Sequence, residues 1–319
     1  MSASTSFVAR ERAAQAQYFG ERGQGGYKGA PYRLDTRGPN LAPSIRGAAE
    51  TYFKDRGIVW HRHTSHGLSS QVCCLNFLMP LAEHPGMLSA LVARALDIEA
   101  PEMLPVEDGP HGRPWYVGFE WIGGADHLGE WRGGKASRGA NATSADAVVR
   151  FRSEGRVETL LIEWKYTEAY GARLSGGETA AKTRSERYSS MMFAPVGPLK
   201  PDTNLPLSAF FYEPFYQLLR QQMLAFRMQA AGEDGAERVR VLHISPAGNT
   251  ALHAVTSPAL ARRGADAFEV FRSLLVRPED FVPRSTEALF NPLIDAPDAG
   301  GWGEYLRDRY RFMSRPDSN

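Results

Sequence analysis

The sequence predicts an α/β protein built on a mixed sheet, and three features predict it. Two apolar strands, Ser144 to Arg152 and Arg156 to Tyr166, are joined by the Glu154-Gly155 turn signal. An amphipathic stretch, YEPFYQLLRQQMLAFRMQAA, places Phe215, Leu218, Leu219, Met223 and Phe226 on one side of a helix. After it comes ERVRVLHISPAG, a further strand of buried type. Antiparallel strands followed by a helical crossover to another strand require a sheet that is mixed, with helices flanking it.

The remaining elements follow in order. Residues 1–66 are rich in Gly, Arg and Pro, with a short helix near Ala13 to Phe19, and read as a loosely packed N-terminal arm. From Leu68, the residues Val72, Leu75, Leu78 and Met79 recur at helical spacing, with Ser69 or Ser70 as a cap. A second helix, Met87 to Leu96, follows the Pro85-Gly86 break. RPWYVGFEWIGG reads as a strand ending at a Gly pair, and a Gly-rich loop carries Arg132, Lys135 and Arg138. A polar insertion, 171–207, separates the hairpin from the amphipathic helix. The core is expected over 67–249, and 250–319 is expected to be a helical extension packing on it, with one helix from Ala265 to Leu275.

Composition narrows the function. The chain has 319 residues, with 37 Lys and Arg against 36 Asp and Glu, a net charge of +1. No overall field draws it to a polyanion, so any such ligand must be held by a local patch. Cys73 and Cys74, the only cysteines, are adjacent, which suits neither a disulfide nor a metal spacing, and they read as buried reduced thiols. No apolar run is long enough to span a bilayer and the N-terminus has no apolar signal core, so a cytoplasmic location is expected.

The chemistry concentrates in LLIEWKYTE. A fully apolar strand runs directly into Glu163-Trp164-Lys165, and alternation puts Glu163 and Lys165 on one face. A hairpin centred on Glu154-Gly155 pairs residues whose numbers sum to 309, which sets Asp146 opposite Glu163 and Ser144 opposite Lys165. Opposed carboxylates repel unless a cation lies between them, and Mg²⁺ is commonly held by one or two carboxylates. The plainer alternative is a surface ion pair on an edge strand, but the apolar flanks are those of a central strand.

An aspartate in one strand and E-x-K at the end of the next, in the order helix, three strands, helix, strand (αβββαβ), resembles the PD-(D/E)xK restriction-endonuclease-like nuclease superfamily. SSQVCCLNFLMPL, SADAVVRF, LLIEWKYTE and YQLLRQQMLA look like a bacterial branch of it. The resemblance implies that Asp146 and Glu163 bind Mg²⁺, with Mn²⁺ as a substitute, and that the Trp164 backbone carbonyl is a further ligand. It also implies that Lys165 is the catalytic lysine. Ala145 stands where the family usually writes proline. The glutamate that many members carry on the first helix is absent, where Gln71, Asn76 and Glu83 stand instead. Glu120 is the candidate to supply it, against the plain reading of a strand charge facing solvent. The later helix carries Gln217, Arg220 and Gln221, and Gln217 is taken as a positioning residue, against a plain polar helix face.

The expected activity is hydrolysis of phosphodiester bonds, in DNA or else RNA, with a homodimer if both strands are cut. A non-catalytic nucleic-acid-binding subunit that keeps the fold is the alternative. Arg132, Lys135, Arg138 and Arg220 are the candidate phosphate contacts, with Lys182, Arg184 and Arg187 in the insertion. The histidines of WHRHTSHG, His61, His63 and His66, lack a fourth ligand at a recognisable spacing and read as a loop rather than a zinc site.

Overall fold

The structure is a computed structural model that describes residues 6–131, 133–134, 136–140, 142–170, 174, 176–203 and 205–314. The N-terminal segment folds into α1 (Phe7–Gly20) and α2 (Arg46–Asp55). Ser6 opens α1, its hydroxyl accepting from the Ala9 amide. α3 (Ser70–Leu78) is capped by Ser69 and buries eight of its nine residues, while α4 (Pro85–Leu96) starts on proline, whose missing N–H costs nothing in a first turn. Then come β1 (Glu102–Leu104), β2 (Glu107–Asp108), β3 (Pro114–Trp115), β4 (Gly118–Trp121), β5 (Ala145–Ser153) and β6 (Arg156–Trp164). The chain continues through α5 (Gly177–Tyr188), α6 (Phe215–Ala230), β7 (Arg238–Ser245), α7 (Ala267–Leu274), β8 (Phe281–Ser285), α8 (Thr286–Ile294) and α9 (Gly300–Arg309).

The central sheet is mixed, in the order β1-β5-β6-β7-β8, with β4 also bonded to β5. β1 and β4 lie end to end on one edge of β5, pairing with residues 150–152 and 145–148 respectively. β4, β5 and β6 are antiparallel, whereas β6, β7 and β8 are parallel. Leu160, Ile162 and Trp164 of β6 pack with α3, α4 and α8, and Leu161 packs with α6 and α7 on the other side. Both faces are therefore covered, which is why β6 reads as continuously apolar.

Three expectations are corrected. The N-terminal segment is not a loose arm: Leu41, Ala42, Ile45, Ala49, Tyr52 and Phe53 belong to the main core. The C-terminal segment is not purely helical, since Phe281 to Ser285 adds a parallel edge strand beside β7. Its Pro283 sits on an edge, where the missing N–H breaks no interior ladder. The single strand expected over RPWYVGFEW is divided into β3 and β4, and β3 pairs with β2 outside the main sheet.

Candidate active site

The hairpin between β5 and β6 turns on Glu154 (φ 51°) and Gly155 (φ 78°). Two successive positive φ values match the right-handed twist of the flanking strands and fix a two-residue connection. Pairing runs from Ser153 with Arg156 to Ala147 with Ile162, every pair summing to 309, and one further step sets Asp146 abreast of Glu163. On the other edge of β5, the pairs of Phe119 with Ala147 and Trp121 with Ala145 bracket Asp146 and Glu120. On β7, His243 pairs with Glu163. Glu120, Asp146 and Glu163 thus form a row across three adjacent strands, and His243 continues it.

Each member of the row has its own support. Glu163 is 2% exposed; its Oε1 accepts from Lys165 Nζ and from Gln217 Nε2 at 2.6 Å, and its Oε2 accepts from Gln221 Nε2 at 2.7 Å. Gln221 also donates to the Ser144 carbonyl at 2.6 Å, tying α6 to the strand that leads into Asp146. Gln217 and Gln221 are four residues apart, so one face of α6 presents both amides. Asp146 is half-buried, and its Oδ2 accepts from the Trp164 amide at 2.7 Å. The Trp164 carbonyl leaves the strand on the same edge as its amide, hence toward Asp146, and it accepts from the Ser70 hydroxyl at 3.1 Å.

Glu120 is 2% exposed, which overturns the solvent-facing reading. It sits in the left-handed region at φ 51°, a conformation that a glutamate holds only where its surroundings dictate it. Gln71 Nε2 donates to its Oε1 at 2.5 Å, Ser144 Oγ donates to its Oε2 at 3.3 Å, and His61 Nε2 lies 3.3 Å from Oε1.

The electrostatics follow from burial. Asp146 is held well above the ordinary carboxylate range by desolvation and then by the Glu163 charge, against the pull of Lys165. Burial raises Glu163 as well, although Lys165 opposes it. Burial alone would lower Lys165, but Glu163, Tyr170 and Asp146 reverse this and keep it an ammonium. His61 is raised chiefly by its bond to Glu120. Among the described residues, no three His, Cys, Asp or Glu side chains converge as a ready-made coordination cage; the acids form a row.

Asp146, Glu163, Lys165, Gln217, Trp164 and Glu120 are brought together. Arg220 lies one residue before Gln221 and donates to Glu130 at 3.2 Å. Arg138 is removed from the set of phosphate contacts: its guanidinium binds Glu107, the Tyr52 hydroxyl and the Phe119 carbonyl, which anchors the loop. Arg132 and Lys135 lie outside the described residues. Gln221 and Gln71, noted on their helices, belong to the site, and Ser144 and His61 complete it without having been singled out for it. The four-residue spacing of two glutamines was the one local signal available. The His66 ring lies 4.9 Å from that of Tyr32 and tilted by 59° to it.

An α/β protein with a mixed central sheet flanked by helices, and with acids and a lysine at its strand ends, is compatible with a restriction-endonuclease-like architecture. The chain belongs to the family described as restriction endonuclease associating with ARP, which matches residues 10–311. The match covers most of α1 and all of α9 as well as the sheet, so the flanking segments are part of what defines the family. No curated protein and no solved structure matches the chain. No helix among the described residues is long and apolar enough to cross a membrane.

Proposed function

We propose that the chain is a divalent-metal-dependent nuclease that hydrolyses phosphodiester bonds in DNA, with Asp146, Glu163 and Lys165 at its centre in a PD-(D/E)xK arrangement. The observation that carries this is the row of three acids beside one buried lysine. Three carboxylates beside one lysine concentrate negative charge of the kind that a bound cation would offset. The donors available are carboxylate oxygens and the Trp164 carbonyl, a hard oxygen set of the kind Mg²⁺ takes while keeping waters. Asp146 and Glu163 would hold the ion, and Glu120 stands beside them as a further acid.

When bound, such an ion supplies a water of lowered pKa and neutralises charge on the transferring phosphate. Gln217 and Gln221 fix the Glu163 carboxylate from α6, so its geometry is set before substrate arrives. Lys165 presents a permanent ammonium to the reacting phosphate, where it orients the attacking water and balances the charge that builds in the transition state. The family's description supports a restriction-type substrate and also names ARP as an associate.

Purified Asp146→Ala and Lys165→Ala proteins should nick plasmid DNA in Mg²⁺ at least about 10²-fold more slowly than the parent. Undiminished cleavage by both would sink the proposal. DNA binding by a parent that never cleaves would instead assign the non-catalytic alternative.

A further inference from the structure

Beside the acid row, α5 and α6 form the walls of a cleft of about 540 Å³. Ala180, Thr183, Arg184 and Arg187 line it from α5, spaced as one helical stripe, and Tyr216 and Arg220 line it from α6. The guanidiniums of Arg184 and Arg220 lie 5.5 and 5.3 Å from the Tyr216 ring centre, so one aromatic plate orients two cations. Arg187 is exposed at the rim.

Among the described residues one carboxylate lines the cleft, Glu130, and it is occupied by Arg220, the Tyr188 hydroxyl and the Thr143 hydroxyl and amide. The acids of α5 do not line it; Glu186 lies 3.8 Å from Lys182 along the helix. Among the described residues that line the cleft, three arginines accompany this one committed glutamate. Arg220 Nε is buried without an acceptor among the described residues. The cleft also adjoins the catalytic centre: Arg220 lies between Gln217 and Gln221, the two residues that hold Glu163. Ala142 lies at the cleft four positions before Asp146.

We propose that this cleft is a binding site for the backbone phosphates of the nucleic-acid strand next to the cleaved bond, gripped by Arg184, Arg187 and Arg220. The inference rests on the nuclease reading for the identity of the ligand, but not on cleavage itself. It gives the 171–207 insertion a role: α5 brings two cations to a helix that already positions the catalytic acid. Guanidiniums match phosphate oxygens in a fork, and contacts to the backbone carry no base information, so the cleft contributes affinity and register rather than sequence choice.

The test is fluorescence anisotropy of a short fluorescein-labelled DNA, measured without divalent ions over a range of salt concentrations. Arg187→Gln, on an exposed position, and Arg184→Gln should each weaken binding and lower the slope of log affinity against log salt by about one. Lys54→Gln, an exposed charge on α2, should change neither quantity. Circular dichroism melting checks that the arginine variants are folded. Unaltered affinity and slope in Arg187→Gln would overturn the inference, and so would a parent protein that binds no DNA. Arginine-dependent binding by a protein that never cleaves would leave the cleft standing and remove the nuclease reading.

Discussion

At the scale of single residues, the site is a stability cost. Asp146 and Glu163 have folded-state pKa values above the ordinary carboxylate range, so the folded form favours their protons. That stabilisation is fully present below the unfolded pKa near 4 and is lost as pH rises through the raised folded value. As pH rises through those raised values, the pair becomes charged at the expense of the fold. Asp146→Asn should raise stability at pH 7 by about 1–2 kcal/mol in urea melts, with the gain shrinking toward pH 4. Millimolar Mg²⁺ should raise the melting temperature of the parent and leave that of Asp146→Asn nearly fixed. A variant less stable than the parent at pH 7 would contradict the argument. His243 tests burial with the opposite sign. It is 1% exposed, neither ring nitrogen has a partner among the described residues, and desolvation lowers it to about 3. The unfolded chain takes up the proton first, so stability falls as pH drops from about 6.5 toward 3. His243→Leu should gain on the parent by about 2–3 kcal/mol between pH 7 and pH 4.5, as followed by the urea midpoint. Parallel pH profiles for the two proteins would refute it.

At the scale of elements, the hairpin decides whether the acids meet. Gly155 at φ 78° adopts a conformation that a β-branched residue enters only with strain. Gly155→Val should cost about 1–2 kcal/mol in chemical denaturation, and cleavage should fall further than that stability loss accounts for, because a shifted register separates Asp146 from Glu163. Equal loss of stability and activity would show that the register survives. This part of the site was legible in advance, since a two-residue turn between apolar strands leaves little choice of pairing. Glu120 was not: its burial depends on Gln71, 49 positions earlier, and on Ser144, neither of which any local pattern links to it. Nor was the strand Phe281–Ser285, whose FVPRS sequence contains proline and lacks alternation. Parallel pairing with β7 is a long-range choice, made by the sheet edge that remained available.

At the scale of the whole molecule, the segments expected to flank a self-sufficient core complete it. One apolar cluster runs in sequence from Phe7 to Met313 and takes in Trp164 and Tyr166 beside the site. Arg309 joins the two ends of the chain: it is 1% exposed, donates to Gln15 Oε1 at 2.8 Å and to the Asn40 carbonyl at 3.2 Å, and lies over the Phe19 and Tyr18 rings. Gln15 in turn donates to the Tyr166 hydroxyl at 3.3 Å, one residue beyond Lys165. An arginine buried among oxygens and rings is stable only while every partner is present, so removing it strands Gln15 and Asn40 in the interior. Arg309→Leu should cost about 3 kcal/mol or more in urea denaturation, and a fragment restricted to residues 67–249 should lack a cooperative melt altogether, because it loses β8, α8 and both terminal helices at once. A fragment that melted cooperatively and bound DNA like the full chain would show that residues 67–249 are separable after all; failure of the fragment together with a destabilised Arg309→Leu would establish that the terminal segments hold β6 in place.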